Sequence, residues 1–136
     1  GVDKLMLLTA QMAGLLTNLS DQDLADIAAH FASQAATPGV AKKDLVALGG
    51  QIYRAGIKEK GLPACSGCHS PTGQGNAPAG FPRLSGQHPQ YIAAQLQRFQ
   101  NGERMNDGEG RTMRDVASKL TAKEMEAVAS FASGLH

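Results

Sequence analysis

The chain has 136 residues, with thirteen lysines and arginines against twelve acids and 4% aromatic residues. That length suits one or two small domains, and no run approaches the roughly 20 apolar residues of a membrane span. Basic and aromatic residues are not interleaved as in a nucleic-acid binder, and sparse β-branched residues without strand-type alternation exclude a sheet, so an all-α fold with glycine-rich loops is expected.

The first predicted helix covers residues 21–35. Ser20 and Asp23 form a capping pair at its start, and Leu24, Ile27, Ala28 and Phe31 recur at helical spacing. Met12 precedes Ser20 by eight residues. The stretch Ala36-Thr37-Pro38-Gly39 reads as a break, which places a linker at 37–41. Charge changes sign across it: residues 1–36 hold one lysine and four aspartates, whereas residues 37–136 hold twelve basic and eight acidic residues. Such asymmetry biases docking with charged partners.

A second helix is predicted over 42–56, from Leu45, Leu48, Ile52 and Tyr53. Beyond it both cysteines of the chain lie in Cys65-Ser66-Gly67-Cys68-His69. This C-x-x-C-H pattern is the attachment signature of a c-type haem. Thiols three positions apart each form a thioether to one porphyrin vinyl group, and the adjacent imidazole reaches the iron. The bound histidine then donates its other ring N–H to a backbone carbonyl. Other readings of these residues fare worse. A thioredoxin-like dithiol wants a flanking βαβ pattern, and zinc wants a fourth ligand where only the isolated His88 is at hand. A disulfide would close a very short loop and stabilise little.

A third helix is predicted over 89–101, with Pro89 in its first turn and Ile92, Gln95, Leu96 and Phe99 on one side. The polar stretch Asn101 to Gly110 follows, containing Met105. Met113 then precedes Thr121 by eight residues, as Met12 precedes Ser20, and the offset between the copies is 101 residues. Thr121 and Glu124 open the last predicted helix, 121–134, whose stripe is Met125, Val128, Ala129 and Ala132. The repeat singles out a methionine held in a loop before a capped helix. Iron in a c-type site usually takes a sixth ligand, and Met113 is the candidate. Met125 belongs to the core, and Met105 is the rival.

From about Leu45 to His136 the chain resembles a class I cytochrome c domain, and as a whole it resembles the dihaem bacterial cytochromes of the cytochrome c-four group. The carrying residues are Gly49-Gly50-Gln51-Ile52-Tyr53, Pro63-Ala64 with the haem motif, Gly80 to His88, Tyr91, Gln95-Leu96 and Met113. The resemblance implies a class I fold in which Gly49 lets its helix cross the last one closely. It also implies that the Pro82 carbonyl accepts from the proximal imidazole and that Leu84 packs on the haem. A dihaem member has two C-x-x-C-H motifs, and this sequence has one. Residues 1–36 therefore read as the C-terminal part of a preceding haem domain, followed by a complete domain at 42–136. Met12 would then ligate a second haem outside the sequence, expected in a longer protein, and no signal peptide is recognised after Gly1.

These residues imply one haem c on Cys65 and Cys68, with His69 and Met113 as axial ligands. An iron so ligated has no open position for substrate, so the expectation is a carrier of single electrons and not an enzyme. Arg83, Arg111 and Arg114 are candidates to pair with haem propionates. The resemblance adds a periplasmic respiratory role, between a quinol-oxidising complex and a terminal oxidase. Two alternatives remain open: an electron-transfer subunit of a larger dehydrogenase, and a haem peroxidase. Membrane association is left undetermined.

Overall fold

The computed structural model describes residues 14–35 and 39–135. The chain divides into two compact units, Gly1–Ala36 and Thr37–His136. Among the described residues there is no sheet, only isolated antiparallel bridges at Ile57–Leu62 and Asn76–Phe81. No described helix is long and apolar enough to cross a membrane.

The first unit contains helix α1, Asp21–Ala32. Its capping box is reciprocal: the Asp23 N–H donates to Ser20 Oγ at 3.2 Å, and the Ser20 N–H donates to Asp23 Oδ2 at 2.8 Å. The helix ends three residues short of the expected 35 because the Ser33 hydroxyl donates to the His30 carbonyl at 2.7 Å, satisfying a terminal acceptor locally. The predicted apolar stripe is uncovered in part, with Ile27 43% and Phe31 66% exposed.

In the second unit the remaining helices are α2, Val46–Ala55; α3, Ser66–His69; α4, Pro89–Gln100; α5, Thr112–Ser118; and α6, Ala122–Ser133. All four predicted helices are present, while α3 and α5 are additional. Both are short, at four and seven residues, too few for periodicity to register. Pro89 stands in the first turn of α4, where its missing N–H costs nothing. Thr121 and Glu124 complete a second reciprocal capping box on α6.

Helix α6 is the centre of the unit. Its predicted stripe is buried, with Met125, Val128, Ala129 and Ala132 each 4% exposed or less. Helices α2 and α4 pack on it, and α5 packs on α4. The crossing with α2 is close because Gly49 lacks a side chain: an added Cβ would overlap the Ala127 carbonyl and lie 2.8 Å from Phe131 Cβ. Ile52, Tyr53, Leu62, Ile92, Leu96, Phe99 and Leu120 complete the core. The segment leading into α2 also lies on α6, where the Lys42 N–H donates to Ser130 Oγ at 2.9 Å.

The haem motif sits between two loops of one design. Each runs from a positive-φ glycine, Gly56 or Gly75, to a second one five residues on, Gly61 or Gly80, with a 3-10 turn between them. Mutual backbone hydrogen bonds close each loop, Ile57 with Leu62 at 3.0 Å both ways and Asn76 with Phe81 at 2.8 and 3.0 Å. A proline follows each closure, Pro63 leading into α3 and Pro82 facing back toward it. The shared pattern, Gly-x-x-x-x-Gly-Leu/Phe-Pro, is written in the sequence at 56–63 and 75–82.

Candidate functional site

Helix α3 is one turn long, and Cys65 is its N-cap. The Cys68 and His69 N–H groups donate to the Cys65 carbonyl at 3.2 and 2.9 Å, which sets both thiols and the imidazole on successive positions of one turn. The turn is braced at its far end. Buried Tyr53 donates its hydroxyl to the Ser70 carbonyl at 2.7 Å, and the Gly75 N–H donates to the His69 carbonyl at 2.9 Å. Ser70 itself takes a positive φ of 68° to turn the chain out of the helix.

His69 is buried, with Nδ1 2.8 Å from the Pro82 carbonyl oxygen and its ring edge-on to Phe81 at 6.4 Å between centroids. A carbonyl only accepts, so Nδ1 carries the proton and the neutral ring keeps its lone pair on Nε2. Burial holds the imidazole below its ordinary pKa and so favours the neutral ligand form, while the hydrogen bond to Pro82 works the other way. Gly75 makes the contact possible: a Cβ there would overlap the Phe81 carbonyl and lie 2.6 Å from the Pro82 carbonyl carbon.

Cys65 and Cys68 are free thiols, and both are partly buried. Burial, chiefly, pushes the Cys65 thiol up to about 11, and the Cys68 sulfur adds to it while the Cys65 backbone N–H works against it. Cys65, Leu84 and Met113 share a further property: each is a partly buried residue packed against the same core cluster, together with Ile57, Ala93, Val116 and Leu135. The imidazole lone pair, two unpaired thiols, a thioether and an apolar wall are the donors and surroundings that a covalently attached haem requires.

One sequence expectation is corrected here. Met113 does not lie in a loop: it is the second residue of α5, whose seven residues were too short to recognise. Of the arginines offered as propionate partners, Arg114 is paired with Asp107 at 2.8 Å, and Arg83 donates from Nε to the Ser85 carbonyl and hydroxyl at 3.1 and 2.8 Å. Met105 is 64% exposed, whereas Met125 is 3% exposed in the core, as expected. Met12 lies outside the described residues. Gly56, Gly75 and Asp107 were not singled out from the sequence, although the repeated glycine-proline spacing could have revealed the first two.

The cytochrome c family profile matches residues 46–135. The chain is 54% identical over 126 residues to cytochrome c4 of Azotobacter vinelandii, covering 93% of this chain and 60% of that protein. It is 55% identical over 126 residues to cytochrome c4 of Pseudomonas aeruginosa, covering 93% of this chain and 63% of that one. The chain thus spans about three fifths of the length of these curated relatives. The crystal structure of reduced recombinant cytochrome c4 from Pseudomonas stutzeri superposes with a TM-score of 0.90 at 50% identity, covering 94% of this chain and 67% of that one. With the haem c signature at Cys65, Cys68 and His69 and a class I fold around it, the chain belongs to the cytochrome c family.

Proposed function

We propose that the second unit is a carrier of single electrons, with haem c held covalently by Cys65 and Cys68 and axially by His69 and Met113. The single observation that carries this reading is the 2.8 Å contact from His69 Nδ1 to the Pro82 carbonyl, which leaves the lone pair of Nε2 to a metal. When bound, haem c supplies a one-electron Fe(III)/Fe(II) couple, and a soft thioether at the sixth position favours Fe(II). The residues of the chain do the rest. Pro82 fixes the tautomer and the plane of His69, Leu84 supplies apolar cover, and burial excludes water from the proximal side.

The location that fits this chemistry is the bacterial periplasm, where haem is attached to reduced cysteines. Resemblance to cytochromes c4 supports a respiratory role, with electrons taken from a quinol-oxidising complex and passed to a terminal oxidase. The repeat at an offset of 101 residues, with a reciprocal capping box in both copies, supports reading residues 1–36 as the end of a preceding cytochrome domain and 37–41 as its linker. Met12 would then ligate that domain's haem.

A redox titration with reaction tests on the holoprotein separates a carrier from a peroxidase. The carrier titrates reversibly with one electron per haem, is low-spin in both states, and binds cyanide only after slow displacement of a ligand. A high-spin oxidised form that combines with cyanide or peroxide without such a step contradicts the proposal.

A further inference from the structure

Resting on the proposed ligation by Met113, we propose that Asp107 and Arg114 form a latch that positions the Met113 sulfur and sets how readily it leaves the iron. Met113 stands at the start of a seven-residue helix, far below the length at which a helix sustains itself. The N-cap of that helix is Arg111, in a left-handed conformation with φ 50° and no side-chain cap. The missing acceptor comes from upstream. Asp107 Oδ2 accepts the Arg114 N–H at 2.9 Å, doing the work of an N-cap, while Oδ1 accepts Arg114 Nε at 2.8 Å. The guanidinium also donates to the Gly108 carbonyl at 3.2 Å, so residues 107–114 close into a ring that contains Met113.

The latch is the least exposed of the four ion pairs among the described residues. Its side chains are 2% and 16% exposed for Asp107 and Arg114, against 16% and 35% for Glu124 and Lys60, 60% and 57% for Lys42–Glu126 and 62% and 64% for Arg111–Asp115. Exposed pairs contribute little, but removing one partner of a buried pair leaves the other uncompensated. The loop ahead of the latch is fastened to α4. Arg104 donates to Gln95 Oε1 at 3.0 Å and to Asn106 Oδ1 at 2.7 Å, and its guanidinium lies 4.6 Å from the centroid of Phe99. With both ends of the loop held, swinging the methionine outward requires the latch to open.

The test is the rate at which saturating imidazole displaces the methionine in oxidised holoprotein, followed by loss of the weak red band that methionine gives to Fe(III). Asp107→Ala is expected to raise this rate about ten- to hundredfold, the range of a charged hydrogen bond. Asp107→Asn, which keeps one acceptor for the Arg114 N–H, should fall between. Thr121→Ala removes the cap of α6, lowering overall stability away from the latch, and should leave the rate within about twofold. If Asp107→Ala does not yield holoprotein, Asp107→Asn and Arg114→Gln carry the same comparison. Unchanged rates in the latch variants, or an equal rise in Thr121→Ala, overturn the positioning role. Failure of the ligation itself looks different: the wild-type protein then lacks the red band, or Met113→Ala retains it.

Discussion

Gly49 lies so close beneath Ala127 that the α2–α6 crossing has no room for one further carbon. The obstacle is a backbone carbonyl, which cannot swing aside as a side chain does. Gly49→Ala is therefore expected to destabilise the holoprotein by about 1–3 kcal/mol or more, the cost of overpacking a filled interior. Urea unfolding followed by helical circular dichroism measures it, and an unchanged midpoint contradicts the packing described.

Gly75 and Gly80 separate strain from crowding. Both have positive φ, 73° and 75°, so alanine costs roughly 1–2 kcal/mol of backbone strain at either position. At Gly80 a Cβ meets nothing within 4 Å, whereas at Gly75 it collides with the segment that presents the Pro82 carbonyl to His69. Gly75→Ala should be the more destabilising of the two and the only one to disturb the haem spectrum. Equal costs and identical spectra would show that Gly75 does not position Pro82.

Tyr53 is fully buried and donates to the Ser70 carbonyl at 2.7 Å, so Tyr53→Phe should cost about 0.5–1.5 kcal/mol. The same burial is the chief cause that pushes the phenol up to about 12 from an ordinary 10.0; the smaller contribution, the charge of a Cys65 thiolate, is absent where that sulfur is a thioether. The unfolded chain therefore releases this proton first. Stability is fully present below about pH 10 and falls as pH rises toward about 12. Tyr53→Phe should lose this component of the alkaline decline, which denaturant titrations over that range will register.

Glu124 binds two partners at once, Lys60 Nζ at 2.7 Å and the Thr121 N–H at 2.7 Å. The hydrogen bond from Lys60 and then that from the Thr121 N–H hold its carboxyl below the ordinary 4.5. A depressed carboxylate stabilises the fold above its unfolded pKa, and that contribution disappears as pH falls through the folded value. The stability difference between wild type and Glu124→Gln should accordingly narrow as pH falls below the ordinary 4.5. Thr121→Ala removes the other half of the capping box and should cost about 1 kcal/mol at neutral pH. A difference that stays constant with pH contradicts the assignment.

The long elements were legible because each carries a signal within itself. Leu45, Ile52 and Tyr53, or Met125, Val128 and Ala129, repeat at helical spacing, and Ser20 with Asp23 and Thr121 with Glu124 mark helix starts by adjacency alone. The haem motif was legible because its chemistry needs contiguous residues. Helix α5 was not, since its cap comes from Asp107, outside the helix, and not from the N-cap Arg111. The glycine-proline spacing marks Gly75 as a turn residue but not its role at His69, which depends on the Phe81 and Pro82 carbonyls returning to it in space. The apolar stripe of α1 was read correctly as a pattern, yet Phe31 is 66% exposed, because periodicity states which residues share a face and not what covers it.

The most direct test of the ligation is the oxidised visible spectrum of wild-type and Met113→Ala holoprotein, recorded beside their intact masses under denaturing conditions. The account predicts one covalent haem for the Cys65–Cys68 motif in both, a weak red methionine band in the wild type, and its disappearance in Met113→Ala. A protein without covalent haem, or a band that survives the loss of Met113, contradicts it.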